Sequence, residues 1–380
     1  MTQTLAPTSA ITPESARFVV VDEDGYFSID GIRMADQEVG AQWLSTMRKD
    51  ERGRALIEVD GQSVIVEAFD HPLTILDIEP GPETHWRARF NYGYETTVDS
   101  HSLSCDEWDR FFVRTENGLR AVLSRSAQSR LFQQATAYDD TSVTFEQRTI
   151  EIAPYYGSYS AANESTFWSD IYNNETPRWD NGAFHPGLPR LIPPLKLTRC
   201  RVLVLGCGNG HDAHWWSQQG HIVTGVDFAP SMLEIAGEVA GVDFAPEAIK
   251  NARATYGESS DLKWIQADAF KLPTDWNERF DIIFEHTFFC AINPARRPEI
   301  LKLWRRLLTP RGRLLGFVPV MDKPEGPPFG CTEWELRTRL LLPQRRGALS
   351  LFLPLIWSRD RESLPKRLGQ ELFFVVERRD

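Results

Sequence analysis

The chain has 380 residues, 42% of them hydrophobic and 25% charged, with a net charge of −11. That length suits two domains with a sizeable buried core. An acidic surface repels phosphate backbones. The arginines after Arg296 alternate with leucines, as in Leu303–Trp304–Arg305–Arg306–Leu307–Leu308, which reads as a solvated helix face and predicts no nucleic-acid partner.

The five cysteines, Cys105, Cys200, Cys207, Cys290 and Cys331, are odd in number and form no C-x-x-C pair. Neither a disulfide framework nor a metal site is expected. The N-terminal text MTQTLAPTSAITPESA lacks a basic start and an apolar run. No apolar stretch reaches the ~18–20 residues that span a bilayer. The expectation is a cytoplasmic protein without a membrane partner.

Residues 1–16 read as a disordered leader and residues 17–137 as a small α+β domain. Phe18–Val21, Leu73–Ile78 and Trp86–Tyr92 are strand candidates; Asp36–Arg48 and Ser126–Ala137 are helix candidates. Ala55–Val59 and Ser63–Phe69 alternate apolar and polar residues around Asp60–Gly61, a pair that favours a type I′ hairpin turn. His71, His85 and His101 are scattered and read as surface or turn residues. Residues 138–163 are polar and read as a linker. From residue 164 to 380, strands and helices alternate, the pattern of a doubly wound, Rossmann-like parallel sheet.

The strongest local signal is Arg201–Val202–Leu203–Val204–Leu205–Gly206–Cys207–Gly208–Asn209–Gly210. An apolar run ends in G-x-G-x-G and leads into a helical segment, His211–Gln219. Glycines suit a sharp turn at which a ligand approaches the backbone. A dinucleotide site wants G-x-G-x-x-G; here the third glycine comes one residue early. The next strand, His221–Asp227, ends in a carboxylate suited to both hydroxyls of a ribose. GVDFAP occurs twice, at 225–230 and 241–246. Asp227 follows the fuller strand and takes the ribose role, with Asp243 as the alternative. The repeat is expected to lengthen the following helix or add a helical turn. Asp268 closes a third strand and, with Ala269 and Phe270, is placed to hold an adenine. A fourth strand, Phe280–Phe284, leads to Glu285–His286. A helix (Arg297–Leu308) and a fifth strand (Arg313–Val320) follow. Trp168, Tyr172 and Trp179 offer aromatic faces, which attract cations.

Four segments carry a family resemblance: Phe167–Trp168 through Thr176–Pro177 and Trp179–Asp180–x–Gly182; Gly206–Cys207–Gly208–Asn209–Gly210–His211–Asp212; Phe288–Phe289–Cys290–Ala291–Ile292–Asn293–Pro294 with Arg297–Pro298; and Gly326–Pro327–Pro328–Phe329. Together they resemble the thiopurine methyltransferases and the related halide/thiol methyltransferases over residues 165–380. The resemblance implies a seven-stranded sheet, S-adenosylmethionine as cofactor and a soft nucleophile (thiol, thiopurine, halide, thiocyanate or selenium species) as methyl acceptor. It implies cofactor contacts at Trp168, Tyr172, Trp179, Gly206, Cys207, Gly208, Asp227, Asp268, Ala269 and His286. Tyr172 stands where the family has tryptophan, Arg178 is inserted in the T-P-W-D turn, and His286 replaces a tyrosine of the plant halide relatives. Asp24–Gly25 through Gly118–Leu119–Arg120–Ala121 resembles a small bacterial domain family of uncharacterised function, which supplies no role.

Soft nucleophiles need little or no general base, and alignment with exclusion of water carries most of such a transfer. His286 is the candidate catalytic group, able to take a proton from a thiol. Cys207 and Cys290 read as small apolar fillers. The acceptor chamber is expected beside Phe288, Phe289, Pro327 and Phe329. Two other readings stay open: an O- or N-methyltransferase of a small metabolite, and a non-catalytic S-adenosylmethionine-binding sensor. The acceptor and the oligomeric state also stay open.

Overall fold

A computed structural model describes residues 17–81, 84–146, 148–157, 159–163, 167–168, 170–171, 177, 179–227, 246–342 and 350–380. The expected leader, Tyr172, Arg178 and Asp243 lie outside the described residues, as does the stretch in which the repeat was expected to extend a helix. The chain forms two compact units: Met1–Tyr155 with Pro365–Gln370, and Tyr156–Leu364 with Glu371–Asp380. No helix among the described residues is long and apolar enough to cross a membrane.

In the first unit the strands Ala55–Val59 and Gln62–Ala68 pair antiparallel, Val59 facing Gln62. Asp60 and Gly61 take φ of 51° and 72°, as a type I′ turn requires at both positions. A helix over Gln37–Thr46 is capped by Asp36, whose carboxylate accepts from the amides of Glu38 and Val39; a second covers Arg125–Gln133. The strand expected to reach Tyr92 stops at Phe90. Tyr92 turns to φ 57°, and its hydroxyl accepts the Phe27 amide at 2.8 Å. Residues expected to form a linker are instead strands: Ser142–Phe145 pairs antiparallel with Arg148–Glu151, burying Val143 and Ile150. A two-residue alternation in such short polar strands is a weak signal. His71 is another difference. It is buried, with Nδ1 3.1 Å from the Asp70 carboxylate and Nε2 3.1 Å from the Tyr155 hydroxyl.

The second unit holds a seven-stranded sheet. We label its strands β1 (Arg201–Leu205), β2 (Ile222–Asp227), β3 (Leu262–Gln266), β4 (Phe280–His286), β5 (Leu308–Pro319), β6 (Phe352–Arg359) and β7 (Glu371–Arg378). Its helices include α1 (His211–Gln218), α2 (Pro246–Tyr256), α3 (Arg297–Leu307) and α4 (Glu333–Leu341). The strand order is β3-β2-β1-β4-β5-β7-β6. The first five strands run parallel, and β7 is antiparallel to both its neighbours.

The apolar run of β1 is needed because both sheet faces are covered. Val202 and Val204 join a core with Trp216, Phe284 and Leu315. Leu203 and Leu205 join the opposite core with Ile283, Trp304 and Leu314. Strand order reverses between β1 and β4. A doubly wound sheet opens a ligand crevice at the carboxyl ends of the strands at such a switch point. The predicted site residues Gly206, Asp227, Asp268 and His286 all stand at carboxyl ends of β1 to β4 or immediately after them.

Candidate functional site

Gly206 leaves β1 with φ 62°. A Cβ there would meet the Phe288 ring at 2.7 Å, so the turn and the tight approach both require glycine. The Cys207 amide donates to the Val226 carbonyl at 3.2 Å. The Gly208 amide donates to the Asp227 carboxylate, holding the glycine loop against the end of β2. Asp227 is buried. Gly210 has φ 85°, and a Cβ there would strike Trp264 at 2.5 Å.

At the end of β3 Asp268 is buried. One of its oxygens accepts the Phe270 amide at 2.8 Å, and the other lies 3.3 Å from Lys271 Nζ. The carboxylate thus caps the turn that carries buried Ala269. Trp168 and Trp179 meet edge to face, centroids 5.6 Å apart, and pack with Ala248 of α2 and Ala291. The Trp168 indole N–H donates to the Ala162 carbonyl at 3.2 Å.

β4 runs two residues beyond the predicted strand, to His286. Nδ1 of His286 lies 2.7 Å from Asp212 Oδ2. An ionised carboxylate only accepts, so Nδ1 carries the hydrogen, and in the neutral ring Nε2 carries the lone pair. Asp212 sits in the first turn of α1, and its other oxygen accepts the His185 amide at 2.8 Å. Burial pushes the Asp212 carboxyl up. The charge and hydrogen bond of His286 and the His185 amide outweigh it and hold the group below its ordinary value. Beside His286, Glu285 is pushed up to about 8 by burial, against the pull of the Phe289 and Phe288 amides.

His185, His286 and Glu371 bring ligand atoms within 4.8 Å of one another, a grouping that invites a metal reading. Hydrogen placement opposes it. The Gly187 amide donates to His185 Nδ1 at 3.1 Å, so the ring hydrogen sits on Nε2, which donates to the Glu371 carboxylate at 2.9 Å. A metal would need the lone pair of that nitrogen. The arrangement is a hydrogen-bonded support: Ser363 also donates to Glu371, and His185 stacks on Phe317 at 3.8 Å.

On the side expected to hold the acceptor, Phe288 is half-buried over Gly206. Phe289 belongs to the core instead, 5.9 Å from Trp304 and beneath the Arg297 guanidinium at 4.5 Å. Arg297 is fully buried. It donates to Glu335, to the Tyr156 hydroxyl and to the carbonyls of Phe329 and Gly330, tying that loop to α3 and α4. Residue-by-residue reading missed Asp212, His185 and Glu371. His211–Asp212 directly follows the glycine loop and was open to notice; Glu371 gives no local signal.

The donor set fits an adenosyl amino acid: a glycine loop without bulk, a buried carboxylate at the end of β2, a capped turn after β3 and paired indoles. Comparisons with known proteins agree. The family model described as thiopurine S-methyltransferase matches residues 163–347, so the first unit lies outside it. Thiocyanate methyltransferase 1 of Arabidopsis thaliana is 34% identical over 54% of this chain and 81% of that protein. Probable thiol methyltransferase 2 of the same plant is 28% identical over 50% of this chain and 77% of its own. The thiopurine S-methyltransferase of Bordetella petrii is 28% identical over 49% of this chain and 89% of its own. The chain belongs to the thiopurine S-methyltransferase family and is an S-adenosylmethionine-dependent methyltransferase.

Proposed function

We propose that this protein methylates a small soft nucleophile, a sulfur compound first among them, at the carboxyl ends of β1 and β4. The observation that carries the reading is the pair Asp212–His286, at 2.7 Å, beside the glycine loop. S-adenosylmethionine supplies a methyl carbon activated by a sulfonium. Asp227 is assigned the ribose, Gly206 to Gly208 the aminoacyl end, Asp268 and Ala269 the adenine, and Trp168 and Trp179 the cationic face. His286 accepts the acceptor's proton at Nε2 and hands it to water afterwards. Asp212 fixes the tautomer that makes this possible. The reading includes a reducing, cytoplasmic setting, supported by cysteines of which none is paired in a disulfide.

The test is S-adenosylhomocysteine release across aromatic and aliphatic thiols, hydrogen sulfide, thiocyanate, iodide, selenite under reducing conditions, phenols and amines. Turnover on sulfur, selenium or halide acceptors is expected. Turnover on phenols or amines alone would keep the methyltransferase and overturn the proposed acceptor class. Cofactor binding with no turnover on any of them would favour a sensing module.

A further inference from the structure

Trp179 is followed by Asp180, a carboxylate that gathers donors from two parts of the chain. Its Oδ1 accepts the Gly182 amide at 2.7 Å, closing the turn locally. The same oxygen lies 3.1 Å from His211 Nε2. Oδ2 accepts from the Asn209 side-chain amide. Asn209 is the x of the last G-x-G step, and His211 opens α1. The turn that carries Trp179 is therefore bonded to the glycine loop itself.

The bonding continues into α2. Asn209 Oδ1 accepts from Asn251 Nδ2 at 3.2 Å, and His211 Nδ1 is 2.5 Å from the Tyr256 hydroxyl. α2 also carries Ala248, on which Trp168 and Trp179 pack. A closed circuit results: indoles to α2, α2 to the glycine loop, glycine loop to Asp180, Asp180 back to Trp179. Two carboxylates thus grip successive parts of the loop, Asp227 at Gly208 and Asp180 at Asn209 and His211.

We propose that Asp180 is the positioning residue that latches the Trp179 turn onto the glycine loop, and that the Asp180–His211 pair sets how tightly the adenosyl cofactor is retained. The proposal rests on the assignment of Trp179 and the glycine loop to the cofactor.

The electrostatics agree with a charged latch. The His211 bond, above the cost of burial, holds the Asp180 carboxyl down at about 2. Asp180 in turn raises His211 above the ordinary histidine value, again against burial. The groups facing His211 are Asp180 from the turn, Tyr256 from α2, and Asp212 and His214 from its own helix. Asp212 strengthens the charged form. His214 stacks on Tyr256 at 4.2 Å and has its own value lowered by burial and by His211. With His211 raised, the charge-assisted latch is complete below the ordinary histidine value and weakens as pH climbs through the raised His211 value.

The test is calorimetric binding of S-adenosylhomocysteine to the full chain, wild type and variants, from about pH 6 to about pH 9. Asp180→Asn should raise Kd about 10-fold at about pH 6, the scale of one charge-assisted hydrogen bond, with acceptor KM and kcat at saturating cofactor held within about 2-fold. Wild-type Kd should rise with pH, and the Asp180→Asn profile should be flat. The His211 titration, followed by NMR, should fall back toward the ordinary histidine value in that variant. Asn209→Ala, which removes one donor and leaves the ion pair, should weaken binding by about 3-fold and keep the pH dependence; it serves if Asp180→Asn folds poorly. Trp179→Ala separates the two ideas. Wild-type affinity and pH profile in Asp180→Asn, with weakened binding in Trp179→Ala, would overturn the latch and leave the cofactor assignment standing. Wild-type affinity in both would overturn the latch together with the assignment it rests on.

Discussion

His286 and His185 are joined through one carboxylate: Asp212 takes the His286 ring at 2.7 Å on one oxygen and the His185 backbone amide at 2.8 Å on the other. The first bond selects the His286 tautomer. The second fixes the carboxylate in place, so the ring is aimed by the backbone and not by a flexible side chain. The central functional claim grows from that relationship.

Asp212→Asn tests the tautomer. An amide can donate to Nδ1, which would move the ring hydrogen to Nε2 and remove the proton acceptor. Turnover of an aliphatic thiol should fall about 10- to 100-fold near neutral pH, while cofactor affinity stays near wild type. Nitrogen-15 NMR of His286 should report the change of tautomer directly.

Asp227→Ala should weaken S-adenosylhomocysteine binding by about 1.5–3 kcal/mol, measured by calorimetry. Asp243→Ala should change it little. The reverse pattern would give the ribose role to the second GVDFAP copy.

Glu285 makes a stability prediction with a definite sign. Its folded value is raised to about 8, whereas an unfolded glutamate titrates near ~4.3. Between those values the unfolded chain releases a proton that the folded chain keeps, so this group costs stability as pH rises. Glu285→Gln still offers an acceptor to the Phe289 amide. It should therefore leave the melting temperature near pH 5 little changed and raise it near pH 8, as scanning calorimetry would show.

Arg297 and Glu335 form a buried ion pair at 2.9 Å. Burial pushes the Glu335 carboxyl up, but Arg297 and Arg339 overcome it and hold the value at about 2. The pair's contribution is present above the unfolded glutamate value and is lost as pH falls toward about 2. Arg297→Met leaves a buried carboxylate short of a partner and should destabilise the fold by about 3–5 kcal/mol in denaturant titration. Acid unfolding should also begin at higher pH.

Much of this architecture was legible because its determinants are local. Asp60–Gly61 encodes its turn in two residues, and β1 announces a sheet covered on both faces by an unbroken apolar run. Gly206 to Gly210 state their turn by lacking side chains. The doubly wound sheet follows from such signals taken in order. The hydrogen-bonded supports were not legible, because they join residues that chain order keeps apart. His185 and Glu371 are separated by 186 positions, and His286 and Asp212 by 74. His71 misled for the same reason: burial against Phe112 and Tyr155 leaves no trace next to it in the chain. The strands over Ser142–Glu151 were hidden by polar composition, since two inward residues, Val143 and Ile150, are too few for a period to emerge.

The most direct measurement is kcat/KM for an aliphatic thiol and for thiocyanate, in wild type and His286→Ala, across about pH 6 to about pH 9. A thiol brings a proton that must leave; thiocyanate brings none. The account predicts a loss of about 10- to 100-fold on the thiol at low pH, closing as pH approaches the thiol's own pKa, with thiocyanate turnover changed less than about 3-fold. An equal loss on both acceptors at every pH would contradict it and leave His286 as part of the site wall.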